Sequence, residues 1–188
     1  MQTREEWLDA AVARIRARIP EVASRIRCAP GFPRTFSRSG TAAEVIPDTD
    51  SQDGTFEVLI APTLADPEGV FVVLLGQVLH TLPGALTVAS RAYRDALTNW
   101  GLAIEGQDVS PTADFIEHWQ ADIDGLGPYP HAAVTVATRK TQSTRMLKLT
   151  CPQCGYIVRT TGKWLGQGLP VCHDGATFVV ESTEGGEE

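Results

Sequence analysis

The 188 residues, 43% hydrophobic and 21% charged, have the composition of an ordinary globular protein of one or two domains. No apolar run approaches the roughly 18 residues of a membrane span, and the longest, Val70 to Leu75, has the length of a core element. A net charge of −7 argues against a general polyanion binder.

Met1 to Glu6 carries acids and lacks a basic segment followed by an apolar one, so a signal peptide is not expected and a cytoplasmic location is. Thr3 with Glu6 forms a capping-box pattern. Trp7, Ala11, Val12, Ile15 and Ile19 follow at helical spacing, and Pro20 ends that helix. Ser24 to Ala29 alternates weakly and predicts a strand closed by the turn Pro30-Gly31-Phe32-Pro33. Thr41 to Ile46 and Thr55 to Ile60 read as two antiparallel strands around the polar turn Asp48 to Gly54, with Phe56, Val58 and Ile60 on one face. Asp66-Pro67-Glu68 opens a strongly apolar helix through about Leu82, stopped by Pro83-Gly84. A third helix is expected near Leu86 to Trp100, placing Ala89, Tyr93, Ala96 and Trp100 along one face. Ser110-Pro111 predicts the start of a fourth, with Phe115, Trp119 and Ile123 spaced i, i+4, i+8, and Gly125 to Pro130 breaks it. The expected architecture is α+β: a domain over 1–132, a basic connector over 133–146, and a small module with an acidic tail over 147–188.

Three of the four cysteines fall in that last module, a clustering that reads in a reducing compartment as metal ligation rather than disulfide bonding. Cys28 stands alone and is expected to pack as a small apolar residue. In Cys151-Pro152-Gln153-Cys154-Gly155 the CxxC spacing lets two thiolates reach one ion, and Gly155 lets the backbone fold back beneath them. Cys172 follows 18 positions after Cys154, and short strands are expected at Tyr156 to Thr160 and Thr177 to Glu181. One structural zinc needs a fourth ligand, either His173 or Asp174. His173 is the better zinc ligand chemically but adjoins Cys172, whereas Asp174 has the more workable spacing.

Charge is distributed unevenly. Arg139 to Gln167 holds Arg139, Lys140, Arg145, Lys148, Arg159 and Lys163 and no acid, leaving all 23 acids to face the other ten cations elsewhere. Interleaved with Tyr156 and Trp164, these cations suit phosphate contact and base stacking, so DNA or RNA is an expected partner.

The stretch Arg145 to Val171, with Cys-Pro-Gln-Cys-Gly-Tyr, Val-Arg-Thr-Thr and Lys-Trp-Leu, resembles the C-terminal zinc ribbon of SprT-like proteins, the phage and actinobacterial members above all. Thr3 to Leu8, Gly31 to Pro33, Asp53 to Leu64 and Leu126 to Ala132 echo the same family. The resemblance implies a zincin-like metallopeptidase domain before the ribbon, with an HExxH helix in its active members. In that motif two histidines at i and i+4 bind zinc and the glutamate between them is the general base. Aligned on Val70 to Leu75, the motif falls on Gly76-Gln77-Val78-Leu79-His80, and the third ligand falls near Ala89. Gly76 and Ala89 have no ligand atom, and a Gln77 amide cannot take a proton at neutral pH.

A pseudoprotease is therefore expected, with His80 packed against or capping its helix end. Rescue of catalysis by Glu117, His118 or His131 is the disfavoured reading. Gly76 within a helix marks either drift or the close approach of a neighbouring element. Two partners other than nucleic acid are compatible with the chain: a protein docked in the emptied cleft of Gly76, Gln77, His80 and the third helix, or a second copy of the chain. No small-molecule substrate and no membrane are implied.

Overall fold

A computed structural model describes residues 2–36, 40–106, 108–136 and 146–180. The chain is α+β and divides into two compact units, Met1–Val136 and Ala137–Glu188.

In the first unit α1 (Arg4–Arg18) is closed by a reciprocal capping box: the Glu6 amide donates to Thr3 Oγ1 at 3.2 Å and the Thr3 amide to Glu6 Oε2 at 2.7 Å. Its buried stripe is Trp7, Leu8, Ala11, Val12 and Ile15. Three strands follow, β1 (Ile26–Pro30), β2 (Ala43–Ile46) and β3 (Phe56–Ile60), in the order β1-β3-β2. β2 and β3 pair antiparallel as their turn predicts, whereas β1 lies parallel to β3 with Cys28 opposite Val58, both buried. Burial pushes the Cys28 thiol up to about 12, with Asp9 and Glu57 adding to the effect.

The centre of the unit is α2 (Pro67–Leu79), nine of whose 13 residues are buried. Asp66 caps it, its carboxylate accepting from the Gly69 amide at 2.8 Å, and Pro67 occupies the first turn, where no amide is needed. The helix ends at Leu79 rather than Leu82. The next three amides, those of His80, Thr81 and Leu82, bond three residues back instead of four, tightening the chain toward Pro83.

Two expected boundaries are corrected. α3 runs from Arg91 to Asn99, not from Leu86, because Ser90 is its cap and accepts from the Tyr93 amide at 3.1 Å. Ala89 is therefore exposed in the preceding turn. Ser110-Pro111 does not start a helix. It ends β5 (Asp108–Pro111), which pairs antiparallel with β4 (Leu102–Glu105) around a turn in which Gly106 adopts φ 64°. α4 (Ala113–Leu126) follows, with Phe115, Trp119 and Ile123 buried as their spacing predicts. Phe71 of α2 packs on Phe115 and Trp119 with ring centroids 6.4 and 5.3 Å apart, fixing α4 against α2. The indole Nε1 of Trp7 donates to Gly127 O and that of Trp119 to Trp100 O, both at 3.1 Å, so neither buried ring strands a donor.

The second unit is a sheet in the order β7-β6-β8, built from β6 (Leu147–Thr150), β7 (Ile157–Thr160) and β8 (Val179–Val180), with the short helix α5 (Gly162–Leu165) after β7. Its buried core is Leu149, Cys151, Cys172 and Phe178, edged by Leu147, Val158, Leu165 and Ala176. Two of the four buried side chains are cysteines. Among the described residues no helix is long and apolar enough to cross a membrane.

Candidate metal centre and cleft

β6 delivers Cys151 to a turn whose amides are pinned: Cys151 N donates to Tyr156 O at 2.9 Å and Gly155 N to Cys151 O at 3.0 Å. Gly155 adopts φ 73°, a region open to glycine, and so returns the chain beneath Cys151 and Cys154. The second turn repeats the device, with Cys172 N donating to Ala176 O at 2.8 Å, Gly175 N to Cys172 O at 3.0 Å, and Gly175 at φ 84°.

The two turns bring the ligand atoms of Cys151, Cys154, Cys172 and Asp174 within 4.8 Å of one another. Cys154 Sγ lies 3.5 Å from Cys172 Sγ, and Cys151 Sγ lies 3.2 Å from Asp174 Oδ2. The other Asp174 oxygen, Oδ1, accepts from the Ala176 amide at 2.9 Å, which holds Oδ2 toward the sulfurs. His173 Nδ1 reaches Cys172 Sγ at 3.3 Å but does not belong to the group of four. Of the two alternatives for a fourth donor, the fold brings Asp174 to the cysteines.

A cation fits this donor set. The Ala176 amide, and then the three thiols, hold the Asp174 carboxyl down at about 2, so it is an anion at neutral pH. The Tyr156 amide pulls the Cys154 thiol down, but desolvation and the crowding of Cys172, Cys151 and Asp174 outweigh it and hold the thiol up at about 12. Hydrogen bonding to these neighbours favours the protonated Cys154 thiol, and a bound cation would favour the thiolate instead. Three close cysteines and an aspartate can hold one metal ion.

The cleft in the first unit has the opposite character. Gly76 sits on α2 where β5 crosses it. A Cβ at that position would lie 2.8 Å from Val109 Cγ2 and 3.3 Å from Cγ1. The close approach of a neighbouring element thus accounts for the glycine, and valine methyls fill the space that a side chain at 76 would take. Gln77 and His80 line a cleft of about 200 Å³ together with Tyr93 and Val109, and Ala89 is not among its walls. Glu117 is exposed, His118 packs edge-on against Trp100, and His131 bonds Pro62 O at 2.7 Å and Arg4 at 3.3 Å. None of these three lines the cleft, and no second group of three metal-ligating side chains occurs among the described residues.

His80 sits at the C-terminal cap of α2. Its Nδ1 donates to Ala85 O at 2.9 Å and its ring stacks on Tyr93 at 3.7 Å. Burial lowers its pKa, against the smaller opposing effect of the Ala85 carbonyl. The folded state therefore favours neutral imidazole, and the unfolded chain binds the proton more readily. The stabilising contribution is complete above the unfolded value near 6.5 and is lost as pH falls through the lower folded value. Denaturant melts between pH 7.5 and 5 are expected to show a stability loss in the wild type that His80→Gln flattens.

Of the expected nucleic-acid contacts, Lys148 and Arg159 are directly paired across β6 and β7 and so share one face of the sheet. Lys163 Nζ lies 5.8 Å from the ring of Trp164, which is 57% exposed. Arg139, Lys140 and Arg145 lie outside the described residues. Sequence spacing alone missed Val109 and Asp108 as cleft walls; the one available signal was the turn glycine at 106 between two short β-compatible runs. No known protein family, curated protein or solved structure matches the chain.

Proposed function

We propose that the chain is a catalytically inactive SprT-like protein whose C-terminal unit is a structural zinc ribbon that contacts nucleic acid or a protein bound to it. The observation that carries the inactive half is Val109 against Gly76: the first ligand position of the family motif has neither a donor nor room for one. Soft thiolates favour zinc over hard cations, and a carboxylate completes four ligands without an open position for substrate. Bound zinc supplies cross-linking of the two turns. Cys151 and Cys172 are buried and anchor it to the sheet, while Cys154 and Asp174 close it from the solvent side.

Binding to nucleic acid is supported by the shared face of Lys148 and Arg159 and by the exposed Lys163–Trp164 pair. Fluorescence titration of the chain with single- and double-stranded oligonucleotides, across a salt series, tests it. Affinity is expected to fall linearly with the logarithm of salt, and each of Lys148→Ala, Arg159→Ala and Lys163→Ala to reduce the slope by about one. Trp164→Ala is expected to weaken single-strand binding by about 1–3 kcal/mol with the salt slope unchanged. Binding that is absent at low salt, or indifferent to salt, overturns this half of the proposal.

A further inference from the structure

We propose that the cleft of the first unit binds a small organic cation rich in N–H donors: a guanidinium or ammonium head on a short apolar stem. The inference does not depend on zinc or on nucleic acid, because it concerns only the chemistry of these walls.

The cleft presents hydrogen-bond acceptors: the His80 imidazole accepts only, and the Tyr93 hydroxyl and Gln77 side-chain amide can accept as well as donate. His80 is 94% buried, and its Nδ1 proton is committed to Ala85 O, which leaves Nε2 as a lone-pair acceptor with no protein partner among the described residues. The Tyr93 hydroxyl, on a residue 98% buried, and the Gln77 amide also line the cleft and find no side-chain or backbone partner among the described residues. Glu44 is engaged by Arg34, whose Nε and backbone amide each donate to its carboxylate at 2.6 Å. Asp108 is exposed at the rim and has no ion-pair partner among the described residues. Among the described residues no lysine or arginine lines the cleft.

The charge balance selects the ligand. One carboxylate is neutralised, one is not, and the histidine is neutral, so an anion would meet repulsion and a cation attraction. The hairpin carries a second sign of this. Asp108 pairs directly with Glu105, and like charges facing across two strands are destabilising. A bound cation relieves that repulsion. Val73, Val88, Ile104 and Val109 provide the apolar walls for the stem.

Titration of the intact chain, followed through the imidazole nitrogen resonances of His80, tests the inference with three probes at matched ionic strength. Ethylguanidinium is expected to shift the Nε2 resonance saturably at millimolar concentration. Its neutral isostere N-ethylurea is expected to bind at least about tenfold more weakly. Asp108→Asn, a change at an exposed position, is expected to weaken ethylguanidinium about tenfold and to leave N-ethylurea unchanged. The tripeptide Gly-Arg-Gly separates the sources: binding tighter than ethylguanidinium assigns the site to an arginine side chain of a protein, and weaker binding assigns it to a free small molecule. Absence of a saturable shift at His80, equal response to the charged and neutral probes, or indifference to Asp108→Asn overturns the proposal.

Discussion

Removal of the metal by a strong chelator is expected to unfold the C-terminal unit and leave the N-terminal one folded. The reason is the size of the core. Leu149, Cys151, Cys172 and Phe178 are its only buried core side chains among the described residues, and two of them belong to the candidate metal cluster. So small a cluster cannot offset chain entropy alone, whereas structural zinc contributes about 10–16 kcal/mol in comparable small modules. Amide resonances of β6 and β7 are expected to collapse to the random-coil range on chelation, while those of α1, α2 and α4 keep their dispersion. Elemental analysis is expected to find one zinc per chain, lost on Cys151→Ser. Competition with a chromophoric chelator separates the two candidates for the fourth ligand. Asp174→Asn is expected to lower metal affinity by more than the roughly 10–100-fold that outer-shell changes produce, and His173→Ala by less. The reverse order would reassign the ligand to His173, and retention of the folded sheet after chelation would remove the metal from the stability of the unit.

The second large effect is expected at Gly76. Replacing a helical glycine with alanine ordinarily stabilises by about 0.5–1 kcal/mol. Here the new Cβ would meet Val109 Cγ2 at 2.8 Å, and β-branched Val109 has few rotamers in which to yield. Overpacking of this kind costs about 1–3 kcal/mol, so Gly76→Ala is expected to destabilise by about 1–2 kcal/mol net in denaturant melts. Gly76→His, which brings a larger side chain to the same contact, is expected to cost more. The double variant Gly76→Ala/Val109→Ala is expected to be more stable than the sum of the single changes, because the clash is removed with the valine. A Gly76→Ala variant more stable than the wild type would show that β5 yields freely. A side chain at 76 therefore has no room while Val109 occupies the space.

What was legible in the sequence follows the range of the interactions involved. α1, α2 and α4 carry their start signals at Thr3, Asp66 and the Phe115-Trp119-Ile123 spacing, and the β2–β3 pair has its turn between its strands. The clustering of the cysteines was legible because each turn brings its own members together. The place of Asp174 beside them was not, since it depends on the bond from its second oxygen to Ala176 in the folded turn. β4 and β5 escaped detection because β4 buries only Leu102 and shows no alternation, while Pro111 resembles a helix start. Ala89 was misplaced for a related reason: Ser90 competes with Leu86 as the start of α3, and the hydroxyl cap prevails. The cleft walls come from four separate stretches of chain, 41–45, 73–80, 88–93 and 104–109, an arrangement that no local spacing encodes.

Cys28, opposite Val58 in the sheet, has a practical consequence for labelling chemistry. A thiol 95% buried and held up at about 12 offers almost no thiolate to an alkylating reagent at neutral pH. Iodoacetamide therefore leaves Cys28 of the folded N-terminal unit unmodified and is expected to reach only Cys151, Cys154 and Cys172, once chelation unfolds their unit. Protection of those three, lost on chelation, measures occupancy of the Cys151 centre without a single substitution.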